Sequence, residues 1–136
     1  DVIYDPKAAD NEAASARLAA MALGELDWAA ARIDHVVALV DGTVGHEWAA
    51  ASLDHAVLYA ADLAVLASDP AGYSDYVRAV RREYAHVADK AWVTGRTAVL
   101  RGFIDRSAIY APCLGLDDWE RRARANLTAE HEMLRR

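Results

Sequence analysis

From Asn11 onward the apolar residues of this chain recur with the spacing of helices, and no stretch alternates convincingly in the manner of a strand. Asp10 stands where it would cap a first helix. In that helix Ala14, Leu18, Met21 and Ala22 share a face and Gly24 marks the stop. Ile33, Val36, Val37, Val40 and Val44 repeat the period in a second helix, which Gly42 and Gly45 weaken towards its end. A third helix, 56–67, is apolar or tyrosine at every position but Asp62, which predicts a helix without a polar side, running through the middle of a bundle. Ser68, Asp69 and Pro70 read as a stop, a cap and a first-turn proline. Tyr73, Tyr76, Val77, Val80 and Tyr84 then mark a fourth helix, Trp92, Val99, Leu100, Phe103 and Ile104 a fifth, and Leu116, Trp119, Ala123, Leu127 and Leu134 a sixth. The pattern predicts an all-α bundle of about six helices over residues 1–136, as one domain, without internal repeats or coiled-coil heptads.

Composition narrows the class. At 136 residues, 54% hydrophobic and 26% charged, with 7 Gly and 3 Pro, the chain has the makings of one globular core and none of a disordered or collagen-like segment. A single cysteine, Cys113, excludes an internal disulfide and a multi-thiolate metal site, and points to a reducing, bacterial cytoplasmic setting. Fifteen Lys and Arg against 21 Asp and Glu give a net charge of -6, a field that opposes nucleic acid over most of the surface. Asp41, Glu47, Asp54, Asp62 and Asp69 interrupt the most apolar stretch before it reaches membrane-spanning length. The segment from Asp1 to Lys7 lacks the layout of a signal peptide, so no membrane partner is expected.

Among the polar residues Asp62 carries the most information. An ionised carboxylate inside an apolar helix needs an ion pair, a backbone donor or a metal to offset its desolvation. His55, two turns earlier on the same face with Tyr59 between them, suits the metal alternative. His46 and His131 each begin a run resembling a zinc-protease helix, but both lack the second histidine. His35 reads as a hydrogen-bonded core or boundary residue and His86 as a cation capping a helix C-terminus. Most residues of the clusters Arg78, Arg81, Arg82 and Arg121, Arg122, Arg124 read as solvated faces. A subset facing Asp62 would neutralise it or hold a substrate phosphate. The sequon at Asn126, Leu127 and Thr128 falls inside a helix and is discounted.

Six blocks, in order, resemble the bacterial family of predicted metal-dependent phosphohydrolases of the HD superfamily. They are Asp1 to Pro6; Asp10, Asn11, Glu12 and Ser15; Tyr59 to Leu66; Arg81 to Val87 with Gly95, Arg96, Val99, Leu100 and Phe103; Ile109 and Tyr110; and Glu120, Ala123, Arg124, Asn126, Leu127 and Glu130. The resemblance implies an all-α HD-like domain holding a divalent metal, Mg, Mn or another transition metal. It implies that Asp1 is the Asp of the His-Asp pair and Asp62 the later ligand. It also implies that Glu12 lies near the metal and that His46 borders the site. Arg81 and Arg82 are the expected substrate contacts. The histidine before Asp1 and the upstream helices of the family are not in this sequence, so the expectation is a chain lacking the family's N-terminal portion that binds metal weakly or not at all. Where the family often reads Asp-Ala-Asp, this chain has Ala60, Ala61, Asp62.

The expected function is hydrolysis of a small phosphorylated substrate, a nucleotide among the candidates, with metal-activated water as nucleophile and Glu12 or His46 handling protons. The rival is a non-catalytic interaction or structural module in which Asp62 is salt-bridged and faces left open by the missing part form an interface. A homodimer would serve the same end.

Overall fold

The computed structural model describes residues 2–5, 7–45 and 52–135. It is all-helical over those residues and contains no strand among them. Six α-helices follow in order: α1 (Asn11–Glu25), α2 (Ala30–Asp41), α3 (Leu53–Asp62), α4 (Pro70–Glu83), α5 (Asp89–Ile104) and α6 (Asp117–Leu134). Short 3-10 turns at Gly42–Val44, Leu63–Ala67 and Pro112–Leu114 punctuate them. No helix of the described residues is long and apolar enough to cross a membrane. The chain divides into two compact units, Asp1–Tyr59 and Ala60–Arg136.

In the first unit α1 and α2 pack on each other. Helix α1 runs one residue past Gly24 and closes in a Schellman arrangement, with Trp28 N donating to Leu23 O and Asp27 N to Gly24 O. The residue in the left-handed conformation there is Asp27 (φ 55), not the glycine that the sequence offered as the stop. Asp10 stands at the N-cap but its side chain makes no cap bond; it pairs with Arg17 at 3.6 Å in solvent. Of the predicted α1 face, Leu18, Met21 and Ala22 are exposed, while Ser15 and Ala16 are the buried residues. Helix α2 ends at Asp41 as its glycines suggested. A Cβ at Gly42 would overlap the Tyr59 hydroxyl, so glycine is what lets this turn approach the buried tyrosine.

The second unit holds the larger core, in which Leu66, Tyr73, Leu100, Ile109, Ala123 and Leu127 interlock. The turn 63–67 packs on α6 and α4, and α5 packs on α6. Helix α4 starts as its sequence dictates: Asp69 Oδ1 accepts from Gly72 N at 2.8 Å and Pro70 occupies the first turn. The predicted helix 56–67 is corrected in two respects. It ceases to be an α-helix at Asp62 and continues as a 3-10 turn, which changes the angular step per residue and with it the faces. It is also not enclosed, since Val57, Ala61 and Asp62 are exposed. Ala56, Ala60 and Ala67 turn inward while Val57 stays 52% exposed, and single apolar side chains at a surface are ordinary, so an all-apolar run does not compel burial on every side.

Candidate functional site

The segment Val2–Asp5 is irregular and exposed, yet two side chains of α1 fasten it. Ser15 Oγ accepts from Ile3 N at 3.1 Å and donates to Ile3 O at 3.3 Å. Asn11 pairs in the same reciprocal way with Asp5: its Oδ1 accepts from Asp5 N and its Nδ2 donates to Asp5 O, each at 2.9 Å. Both side chains thus serve as surrogate strand partners, each satisfying an N–H and a C=O of a segment that lacks secondary structure. They stand one helical turn apart, which puts Asn11 and Ser15 on one face of α1. Glu12 follows Asn11 in the first turn of α1, half-buried, where its charge suits the helix dipole. Asp1 and His46, the other residues assigned to this region, fall outside the described residues.

Between α2 and the start of α3 lies a cluster of imidazoles. His35 Nε2 meets Asp54 Oδ2 at 2.9 Å, and His55 Nδ1 meets Ser52 Oγ at 2.9 Å. The two rings contact edge to face at 6.1 Å, and His55 contacts Tyr59 likewise at 5.7 Å. Burial pushes the Tyr59 hydroxyl above its ordinary pKa, so it stays protonated at neutral pH. His35 is hydrogen-bonded as its sequence position suggested, but it is exposed rather than at the core or its boundary. An imidazole oriented by a carboxylate is suited to carry a proton, but with side chains 45% and 68% exposed the pair is largely screened by solvent.

Asp62 lies in the second unit, at the last residue of α3, and it is exposed. The expectation that its carboxylate is enclosed is therefore overturned, and the desolvation argument for a metal goes with it. Arg81 is engaged by its own loop: Nη1 donates to Tyr84 O at 2.8 Å, Nη2 donates to Asp89 Oδ1 at 2.6 Å, and the guanidinium lies 5.3 Å from the centre of the Trp92 ring. Arg82 is exposed on α4. His86 is exposed beyond α4 and stacks on Tyr84 at 6.0 Å. Among the described residues no three His, Cys, Asp or Glu side chains come together as a metal site. Asp62 is a hard oxygen donor of the kind Mg or Mn accept, but one exposed donor is not a site. The described residues do not fit a divalent metal by themselves.

The strongest electrostatic constellation is one the pattern of candidates did not include. Arg96 donates from Nε to Glu130 Oε1 at 2.7 Å and from Nη2 to Glu130 Oε2 at 3.0 Å, with side chains only 7% and 3% exposed. Tyr73 Oη donates to Glu130 Oε2 at 2.6 Å, and Arg96 Nη1 reaches Tyr76 Oη at 3.4 Å. Burial and then the Glu130 carboxylate push the Tyr73 hydroxyl far above its usual range. For Arg96, burial acts to lower the pKa, but hydrogen bonding to Glu130, its carboxylate charge and the neighbouring Tyr76 hydroxyl outweigh it. The signal was present in the sequence. Glu130 falls on the apolar stripe Ala123, Leu127, Leu134 of α6, and Arg96 stands one turn before Leu100 on α5.

Two further groups secure the same unit. Glu120 accepts from Ile109 N at 2.9 Å and Tyr110 N at 3.1 Å through Oε2, and holds Arg124 Nε at 2.6 Å through Oε1. Asn126 Nδ2 donates to Leu66 O and Ser68 O, both at 2.9 Å, satisfying carbonyls where the turn after α3 ends. Its amide is thereby committed to the fold. Arg96, Glu120, Arg124, Asn126 and Glu130, all in the resemblance blocks, hold helices and loops together and leave no acid or base among them for chemistry. No family model, curated protein or solved structure matches this chain.

Proposed function

We propose that this chain belongs to a cytoplasmic bacterial phosphohydrolase of the HD type, acting on a small phosphoester with a divalent metal. The reading rests on the ordered resemblance of six blocks. The observation in its favour is the double clamp of Ser15 and Asn11 on Val2–Asp5, which fixes the chain that follows Asp1, the residue the resemblance makes a ligand. An exposed segment gains little from such ordering unless its position is used, because fixing each residue costs about 1–2 kcal/mol of backbone entropy. Metal content and hydrolysis of nucleoside monophosphates, measured on this chain and on any natural form extending upstream of Asp1, test the reading. Asn11→Ala and Ser15→Ala, which release the clamped segment, should each lower hydrolysis in the metal-bound form by at least about tenfold. A metal-free and inactive protein in every form would refute it.

The non-catalytic interaction module remains the second reading, and it has its own observation. Leu18, Met21, Leu26, Val44, Leu53 and Val57, all in the first unit, stand exposed. Concentration-dependent association of a metal-free chain, measured by sedimentation and abolished by Met21→Glu with Leu26→Glu, would favour this module or a homodimer over the enzyme.

A further inference from the structure

Helices α5 and α6 lie antiparallel in the second unit, as the bonds from Arg96 to Glu130 and from Arg124 Nη1 to Ile104 O require. Beside the buried seam of Arg96, Leu100, Leu127 and Glu130, each helix presents a second stripe. On α5 it is Thr97, Arg101, Ile104 and, just past its end, Asp105; on α6 it is Thr128, His131 and, just past its end, Arg135. These seven residues line one pocket of about 590 Å³. It is separate from Asp62, Arg81 and Arg82, none of which lines it.

Five arginines of the unit are held in ion pairs, whereas Arg82, Lys90 and Arg122 have none among the described residues, and what distinguishes the pocket is that two such cations line one concavity. Arg78 pairs with Asp75, Arg81 with Asp89, Arg96 with Glu130, Arg121 with Asp118 and Arg124 with Glu120. No side chain pairs with Arg101 or Arg135 among the described residues, and both face the same concavity beside His131. Among the described residues Asp105 is the one acid in its wall. In a chain of net charge -6 this is a local concentration of cationic donors.

We propose that the α5–α6 pocket binds a small phosphorylated organic anion carrying a free hydroxyl. Two guanidinium forks meet the geometry of phosphate oxygens, and the hydroxyls of Thr97 and Thr128 supply neutral donors to the same group. The pocket is half open, with Arg101, Asp105, Thr128 and Arg135 exposed on its rim, and its volume leaves room for an organic body beside a phosphate. Ile104 gives the organic body an apolar surface, and Asp105 accepts from its hydroxyl. An extended polyanion is disfavoured, because two arginines and the opposing overall charge cannot neutralise a run of phosphates. The proposal is independent of the phosphohydrolase reading, since it needs neither metal nor turnover.

The test is an amide NMR titration of the whole chain in the presence of EDTA, with ribose 5-phosphate, ribose, inorganic phosphate and a short single-stranded RNA as separate probes. Ribose 5-phosphate should shift Thr97, Arg101, Thr128 and His131 and bind at least about tenfold more tightly than either ribose or phosphate. Arg101→Gln and Arg135→Gln, both at exposed positions, should each weaken it about tenfold without changing the thermal melt. Asp105→Asn should narrow the advantage over inorganic phosphate. Absence of binding, unchanged affinity in Arg101→Gln, phosphate binding as tightly as the ester, or RNA binding more tightly than the ester would each overturn the proposal.

Discussion

Arg96 and Glu130 form an ion pair whose removal has opposite consequences according to how it is done. Arg96→Leu leaves a carboxylate in the core with only Tyr73 as donor, and is expected to cost about 3–5 kcal/mol in urea unfolding. Replacing both partners by leucine removes the unpaired charge and should cost less than the single change; a double variant as unstable as Arg96→Leu would contradict this account. Tyr73 and Tyr110 add a pH dependence. Both hydroxyls are raised from an ordinary value of 10.0, first by burial and then by the charges of Glu130 and Glu120 respectively. Above that value the unfolded chain has released these protons while the folded chain keeps them, so the unfolded state binds fewer protons and stability falls as pH rises towards the folded pKa. The expected slope is on the order of 1 kcal/mol per pH unit for each such tyrosine. Urea midpoints measured across the alkaline range should show it, and Tyr73→Phe should flatten it. Asp62 was legible as the one polar residue in an apolar run, but its exposure was not, because sequence gives identity and spacing while the neighbours that would cover a side chain come from elsewhere in the chain.

Helix ends show how far local rules reach. The Asp69 cap and Pro70 start could be read directly, because a cap bond joins residues three apart and needs nothing distant. The end of α1 could not, since Gly24 stands as the obvious stop, yet the helix runs on to Glu25 and Asp27 takes the left-handed position. Asp27→Gly relieves that conformation and is expected to raise stability by about 0.5–1 kcal/mol, visible as a higher melting temperature. Gly42→Ala should lower stability by about 1–3 kcal/mol, because Tyr59 is buried and cannot move aside freely. Adding Tyr59→Phe should recover part of that loss. At the end of the 63–67 turn, Asn126→Ala should cost about 1–3 kcal/mol by leaving the Leu66 and Ser68 carbonyls unsatisfied. Asn126→Asp should cost more than alanine, since it sets an acceptor against two acceptors. An aspartate milder than alanine in chemical denaturation would show that these bonds do not hold the turn.

At the scale of the molecule, apolar burial is uneven, and local stability should follow it. Helix α2 has no fully buried residue and α1 has two, whereas α5 and α6 flank a core whose Leu100, Ile109 and Leu127 are inaccessible to solvent. Hydrogen exchange followed by mass spectrometry should find the amides of α5 and α6 best protected and those of α2 exchanging earlier. Equal protection across the two helical groups would contradict the inference from burial. The all-α class, the number of helices and most of the apolar faces of α4, α5 and α6 were determined by the sequence alone, because helical periodicity and capping are short-range and additive along the chain. What only the tertiary structure decided is where the polar groups go. It buried Arg96 and Glu130 and exposed Asp62. It committed Asn126 and Glu120 to backbone groups distant in sequence, and it gathered Arg101, His131 and Arg135 around one pocket. Each of these outcomes depends on which distant residue arrives opposite a given side chain, and a charge is worth keeping in the interior only where that arrival supplies its partner.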